Sequence, residues 1–243
     1  MKKLIIIATY NEKENIEKIL AAVFLNVPDT HVLVIDDNSP DKTAEIVAEL
    51  AQSKYPGQLF LLKRAGKLGL GTAYVAGFNW ALERDYMAIL HMDADFSHNP
   101  KYLPAMFAAL ETNDLVLGSR YVKGGGVLNW PLKRKIISRG GSLYSQIILG
   151  LPIHDLTGGF KCWRREVLET IGINNLEATG FSFQIETTYK AYLNGFRIKE
   201  IPIIFEDRIM GVSKMSGSIF SEAMKMVWKM RMNKNSYIKR SRV

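Results

Sequence analysis

The sequence predicts an α/β fold, a mostly parallel sheet flanked by helices, and three observations carry this. Four short apolar runs in the first half (Leu4 to Ala8, Val32 to Ile35, Leu59 to Leu62, Met87 to Leu90) are continuous rather than alternating, as strands covered on both faces are. Segments with helical spacing separate them. Strand and helix thus alternate at the rhythm of right-handed parallel crossovers.

Taken in order, Leu4 to Ala8 is the first strand, and Thr9 to Glu12 end it far short of a signal-peptide core. Ile16, Ile19, Leu20 and Val23 then recur at helix spacing. Val32 to Ile35 is followed by Asp36-Asp37-Asn38-Ser39-Pro40-Asp41, which is turn and capping chemistry ahead of a helix carrying Ala44, Val47, Ala48 and Leu50. The third strand, Leu59 to Leu62, leads to a helix over Gly71 to Leu82. The fourth, extending to Met92, leads to Asp93-Ala94-Asp95 and a helix starting near Pro100. A fifth, Leu115 to Leu117, ends in Gly118-Ser119-Arg120-Tyr121. Beyond it the alternation decays. Glycines 124 to 126 mark a loop, and Lys133 to Leu151 is expected as one or two amphipathic helices broken near Gly140-Gly141. Gly158-Gly159 marks a turn, Ile219 to Met232 a second amphipathic helix, and the basic segment Asn233 to Val243 is expected to be mobile.

Composition narrows the function. The 243 residues are 47% hydrophobic and 23% charged, which excludes a disordered chain. The net charge of +8 is uneven: Leu115 to His154 holds six basic residues and no acid, and Ile201 to Val243 carries another +6, leaving −4 for the rest. Such a distribution asks for an anionic partner, whether nucleic acid, a phosphorylated small molecule or an acidic membrane. The lone Cys162 cannot form an internal disulfide and is expected to be structural. No segment reaches the roughly 18 to 20 apolar residues that cross a bilayer.

In parallel sheets ligands bind beyond the carboxyl ends of the strands. The residues there are Thr9-Tyr10-Asn11-Glu12, Asp36-Asp37-Asn38-Ser39, Lys63-Arg64 and Asp93-Ala94-Asp95. Two carboxylates at a strand end suit a hard divalent cation that completes its shell with water and the phosphates of a nucleotide diphosphate. Capping of the next helix is the alternative for Asp93 and Asp95, as it is for Asp36 and Asp37. Lys67-Leu68-Gly69-Leu70-Gly71 lacks the phosphate-loop pattern, and its small residues let a helix N-terminus approach a ligand or the sheet.

These residues, in this order and spacing, resemble the nucleotide-sugar half of family 2 glycosyltransferases of the GT-A fold. Gly118-Ser119-Arg120-Tyr121, the run Asn129-Trp130-Pro131-Leu132-Lys133-Arg134-Lys135-Ile136-Ile137-Ser138-Arg139-Gly140, Asp155-Leu156-Thr157-Gly158-Gly159-Phe160, and Phe205-Glu206-Asp207-Arg208 to Ser213-Lys214 resemble dolichyl-phosphate (polyprenyl-phosphate) mannosyltransferases. The likeness covers roughly residues 2 to 232. It implies a GT-A catalytic domain over 1–232, with a nucleotide-sugar half (1–117), an acceptor half with interfacial helices (118–232) and a basic tail (233–243).

The implied reaction moves mannose, with inversion, from GDP-mannose to a polyprenyl or dolichyl phosphate. Asp93, Asp95 and Ser97, the last standing where relatives commonly have glutamine, are the implied ligands of Mg²⁺ or Mn²⁺. The donor set is Thr9, Tyr10, Glu12, Asp36 or Asp37, Asp93, Ala94, Asp95, Arg208 and Lys214. Arg120, Arg134 and Ser138 are the expected clamp on the acceptor phosphate, since arginine offers forked donors and Arg134 and Ser138 share a helix face. Asp95, Arg120, Arg134 and Arg208 are expected to act in the transfer itself, stabilising charge on the departing diphosphate. A phosphate monoester is largely ionised at neutral pH, so no general base is assigned. Gln184 and Glu186 are expected to contact sugar hydroxyls, with a helix-surface role as the alternative for Glu186.

Ile136, Ile137, Leu143, Ile147, Ile148 and Leu151 are expected to form an apolar face beside the first basic zone, and Phe220, Ala223, Met224, Val227 and Met230 a second. Either places the chain peripherally on the cytoplasmic face of a membrane, alone or through a small membrane-anchoring subunit; either face also suits packing on the protein's own core. The rival enzymatic reading is a UDP-sugar-dependent glucosyltransferase acting on the same lipid. A nucleic-acid partner is not expected, because acids cluster at the anticipated cleft and no nucleic-acid module is present.

Overall fold

A computed structural model describes residues 1–178, 180, 182–206 and 217–239. The first half follows the expected alternation: β1 (Lys3–Thr9), α1 (Ile16–Asn26), β2 (His31–Asp36), α2 (Thr43–Ser53), β3 (Leu59–Lys63), α3 (Leu70–Leu82), β4 (Ala88–Asp93), α4 (Leu103–Leu110) and β5 (Leu115–Ser119). The second half adds β6 (Gly126–Leu128), α5 (Leu132–Leu149), β7 (Lys161–Arg164), α6 (Arg165–Ile171), α7 (Ser182–Leu193), β8 (Ile198–Pro202), β9 (Ile204–Glu206) and α8 (Gly217–Met232). One sheet has the strand order β3-β2-β1-β4-β7-β5-β8. Within it β7 runs antiparallel to β4 and β5, and the other described pairings are parallel. Strands β6 and β9 make a separate parallel pair.

Continuous apolar runs arise because both faces are covered. Leu4 and Ile6 of β1 join Leu33 and Ile35 of β2 in one core with Tyr74 and Phe78 of α3, while Ile5 and Ile7 join Val32 and Val34 in a second core with Ile16 and Leu20 of α1. Gly77 allows the close approach of α3: a Cβ there would stand 2.6 Å from Ile35 Cδ1 and 2.8 Å from Ile6 Cγ2. Cys162 is fully buried, and burial pushes its thiol pKa up, as a structural cysteine requires.

Register aligns the strand ends. Thr9 pairs with Asp36, Asp36 with Lys63, and Ala8 with Asp93, so the polar residues following β1, β2, β3 and β4 share one edge.

Three expectations need correction. Helix α5 runs unbroken through Gly140-Gly141, because Ser142, Ser145 and Leu149 are buried along it and Gly150, at φ 68°, closes its end. The C-terminal segment is anchored through Lys239: Lys234–Tyr237 form a 3₁₀ turn, Tyr237 is buried, and the Asn194 side chain bonds Tyr237 O (2.8 Å) and Lys239 N (2.7 Å). Ile148 and Leu151, expected on an outward apolar face, pack into the core instead. In α8, Val227 and Met230 are buried in the core, the packing alternative for that face, while the side chains of Phe220 and Ala223 lie outside the described residues.

Candidate active site

At the β1 and β2 ends, side chains of the second loop hold the backbone of the first. Asn11 N–H donates to Ser39 Oγ, Glu12 N–H to Thr43 Oγ1 and Lys13 N–H to Asp41 Oδ2, each at 3.0 Å. Asp41 also accepts from Thr43 N, an Asx-type turn just ahead of α2. Asp36 is fully buried, taking hydrogen bonds from Thr9 Oγ1 (3.0 Å), Ser39 N (2.8 Å) and Ser39 Oγ (2.6 Å). Thr9 and Asp36 therefore knit the loops together beneath the edge, which leaves Asp37 as the acid of the pair nearer the ligand side. Asp37 lies 3.0 Å from Arg64 Nε, and its Oδ1 lacks a properly aligned hydrogen bond. Burial pushes the Asp37 carboxyl pKa up against the pull of Arg64. Arg64 Nη2 donates to Thr72 Oγ1 in the first turn of α3, and Lys67 Nζ stands 4.4 Å from the Tyr10 ring centroid. Glu12 is partly exposed and accepts from Asn15 Nδ2.

Beyond β4 the chain curls, with Phe96 at φ 62°, so that Ser97 N–H donates to Asp95 Oδ1 at 3.1 Å. Asp93 Oδ1 accepts from Tyr74 Oη (3.3 Å), and its N–H donates to His98 Nδ1 (3.0 Å). Burial lowers the His98 pKa despite the neighbouring Asp93 and Asp95. Asp93 and Asp95 are partly exposed and Ala94 is buried. Ser97 is 1% exposed, yet its Oγ has no hydrogen-bond partner among the described residues. Two aspartates on one turn, Asp95 with its Oδ2 buried, and one buried, unused hydroxyl oxygen are hard donors of the kind a divalent cation takes. Among the described residues no three His, Cys, Asp or Glu side chains converge, so a cation here would complete its shell from elsewhere.

Next to this turn lies a basic and aromatic cluster. Phe205 of β9 bridges the two, with its ring edge-on to His98 (5.4 Å) and to Trp130 (5.3 Å). Arg120 is buried and grips Asp155 through Nε–Oδ2 (2.7 Å), Nη2–Oδ1 (2.6 Å) and its backbone N–H (2.9 Å), with Thr157 Oγ1 as a further acceptor. Burial alone would raise the Asp155 pKa, but the charge and hydrogen bonds of Arg120 outweigh it and the net shift is down. Asp155 is set in turn by Glu200 of β8, and Thr157 reaches Ser142 of α5. The Arg134 guanidinium carbon lies 4.0 Å from the Trp130 ring centroid, and Tyr121 Oη donates to Ser138 Oγ at 2.7 Å. Arg120, Arg134 and Ser138 thus meet in one place.

Arg208 and Lys214 lie outside the described residues. Gln184 and Glu186 are turned into the interior, against the expectation that they contact sugar hydroxyls. Gln184 is buried against His91, and the fully buried Glu186 accepts from the backbone N–H groups of Glu177 and Ala178 and pairs with Lys190. The sequence carries no signal for Tyr74 and His98, marks Arg64 only as a strand-end residue, and holds Tyr121, Trp130, Asp155 and Thr157 in motifs without assigning them a role. Their motifs do not show the pairing, because Arg120 lies more than thirty residues from Asp155 and Thr157. Lys161 is another hidden feature: fully buried and bonded to Gln184 O and Thr188 Oγ1, its pKa is lowered by desolvation to about 7.

A parallel half-sheet thus ends in an acidic turn, beside a second half that gathers arginines. The chain belongs to glycosyl transferase family 2, whose model matches residues 4–172. It is 46% identical over 224 residues to a polyprenol monophosphomannose synthase of Mycolicibacterium smegmatis, covering 92% of this chain and 84% of that one. It is also 46% identical over 223 residues to an undecaprenyl-phosphate mannosyltransferase of Micrococcus luteus, covering 92% and 91%. Among solved structures, a Pyrobaculum calidifontis mannosyltransferase in complex with GDP-Man and Mn²⁺ superposes with TM-score 0.62 at 19% identity over 99% of this chain, which spans 65% of that protein. Glucosyl-3-phosphoglycerate synthase of Mycobacterium tuberculosis, with Mn²⁺ and UDP-glucose, gives 0.66 at 15% identity over 99% and 81%. At such identities these two structures speak for the fold alone.

Proposed function

We propose that this protein is a polyprenyl-phosphate mannose synthase that moves mannose from GDP-mannose to the phosphate of a polyprenyl lipid with inversion at the anomeric carbon. The observation that carries the reading is the 46% identity, over nearly the whole chain, to two enzymes named for polyprenyl-phosphate mannosylation. Residues 1–117 hold the donor and residues 118–232 the acceptor.

Asp93, Asp95 and Ser97 would hold Mg²⁺ or Mn²⁺, which when bound supplies positive charge to the donor diphosphate. Asp37, Glu12 and Tyr10 stand at the edge where the nucleoside fits, with Arg64 and Lys67 beside them. Arg120, Arg134 and Ser138 receive the acceptor phosphate. With a second pKa of about 6 that phosphate is largely dianionic at neutral pH and attacks without a dedicated base. Two anionic partners must meet, and the arginines offset their repulsion. Arg208 and Lys214 are assigned to the leaving diphosphate on their sequence motif alone.

The lipid tail needs a membrane surface. Along α5, Leu132 (72% exposed), Ile136 (63%), Leu143 (54%) and Ile147 (70%) share one face, with exposed Lys133, Lys135 and Arg139 alongside. Among the described residues no helix is long and apolar enough to cross a membrane. The protein is proposed to lie on an anionic bilayer through this face.

The test is transfer of radiolabel from GDP-mannose or UDP-glucose to polyprenyl phosphate with Mg²⁺ or Mn²⁺, measured in the organic phase. Label from GDP-mannose that is abolished by EDTA is expected. Label from UDP-glucose alone overturns the mannosyl assignment, and label from neither overturns the transferase reading.

A further inference from the structure

Trp130 stands in the arginine cluster with its polar atom unused. Its ring centroid is 4.0 Å from the guanidinium carbon of Arg134 and 5.6 Å from that of Arg120. The residue is 7% exposed, and Nε1 has no hydrogen-bond partner among the described residues. A buried indole N–H ordinarily finds an acceptor, so an orphan one marks where an acceptor arrives. The edge-on contact with Phe205 accounts for the ring but not for the N–H. Two cations beside one aromatic ring are each drawn to its π system, and Arg120 is already committed through Nε and Nη2 to Asp155 and Thr157. An unused donor therefore coincides with concentrated positive charge.

We propose that Trp130 is a binding residue of the acceptor site, donating its indole N–H to an oxygen of the incoming phosphate monoester while its ring fixes the Arg134 guanidinium. This rests on the reading of the arginine cluster as the acceptor-phosphate site. It requires that loss of the N–H weaken the lipid phosphate and spare the sugar nucleotide.

The experiment replaces Trp130 with 3-benzothienylalanine, which keeps the bicyclic shape and π face but puts sulfur in place of N–H, and separately makes Trp130→Phe. KM is measured for polyprenyl phosphate and for GDP-mannose, and calorimetry measures binding of a short-chain prenyl monophosphate to the same proteins. The expected result is a roughly five- to tenfold loss of prenyl-phosphate affinity in both variants, with donor KM unchanged. Unchanged acceptor affinity in the benzothienyl variant overturns the proposal. Equal losses for donor and acceptor also overturn it, since that is what disrupted packing produces. If the wild type binds prenyl monophosphate but transfers no sugar, the transfer reading fails while the affinity comparison still decides the role of Trp130. If the wild type binds no prenyl monophosphate, both fall.

Discussion

Arg120 donates three hydrogen bonds to the single carboxylate of Asp155, which is fully buried. Removing one partner of such a pair leaves an uncompensated charge in the interior, so Asp155→Asn is expected to cost about 3 to 5 kcal/mol, read by urea unfolding. The pair also has a pH signature. The folded pKa of Asp155 lies below its unfolded value of about 3.9, so its contribution is complete above that pH and is lost as pH falls through the lowered folded value. Asp155→Asn should flatten this part of the acid limb, and an unaltered acid profile would show that the carboxylate is not held as described. Single residues were legible where chemistry is local: Asp93, Asp95 and Ser97 lie on one short turn. They were illegible where burial decides. Nothing in the sequence separates Asp36, sealed by Thr9 and Ser39, from Asp37 facing Arg64, or reveals that Glu186 sits inside the protein rather than on a helix surface.

Helices and strands of the first half could be read because each repeats a period, apolar runs for β1, β2 and β4 and helical spacing for α1 and α2. The second half resisted for identifiable reasons. Strand β7 carries Lys161 and Arg164 within four residues, and no local pattern declares it central to a sheet. Helix α5 was expected to break at Gly140-Gly141, but the propensity cost of about 1 kcal/mol per glycine is overridden by burial further along the helix. The two classes of helical glycine should respond oppositely to alanine. Gly140 has open space where a Cβ would go, so Gly140→Ala should stabilise by about 0.5 to 1 kcal/mol. Gly77 lies against Ile6 and Ile35 in a closed core, and Gly77→Ala should cost about 1 to 3 kcal/mol through overpacking. Thermal unfolding of both variants checks the contrast, and a destabilising Gly140→Ala would argue against an uninterrupted α5.

At the scale of the molecule, the basic excess divides between the arginine cluster proposed to receive phosphate and a helix face that stands in solvent. Lys133, Lys135 and Arg139 belong to the second group. Each basic residue near an anionic bilayer is worth about 1 kcal/mol, so replacing all three with Gln should weaken sedimentation with phosphatidylserine or phosphatidylglycerol vesicles on the order of a hundredfold. Turnover of a detergent-dispersed short-chain acceptor should hold. Equal vesicle binding by the triple variant would move the contact surface away from α5. The fold's topology bears on a different matter, the order in which the chain is made. Strands β1 to β4 pair only among themselves on one side, whereas β5 reaches the sheet through β7, which emerges from the ribosome more than forty residues later. Strands β1 to β4 can therefore assemble during synthesis, while β4 and β5 both present open edges until residue 164 is available to join them. The nascent chain is most exposed to wrong pairing while β7 is still to come.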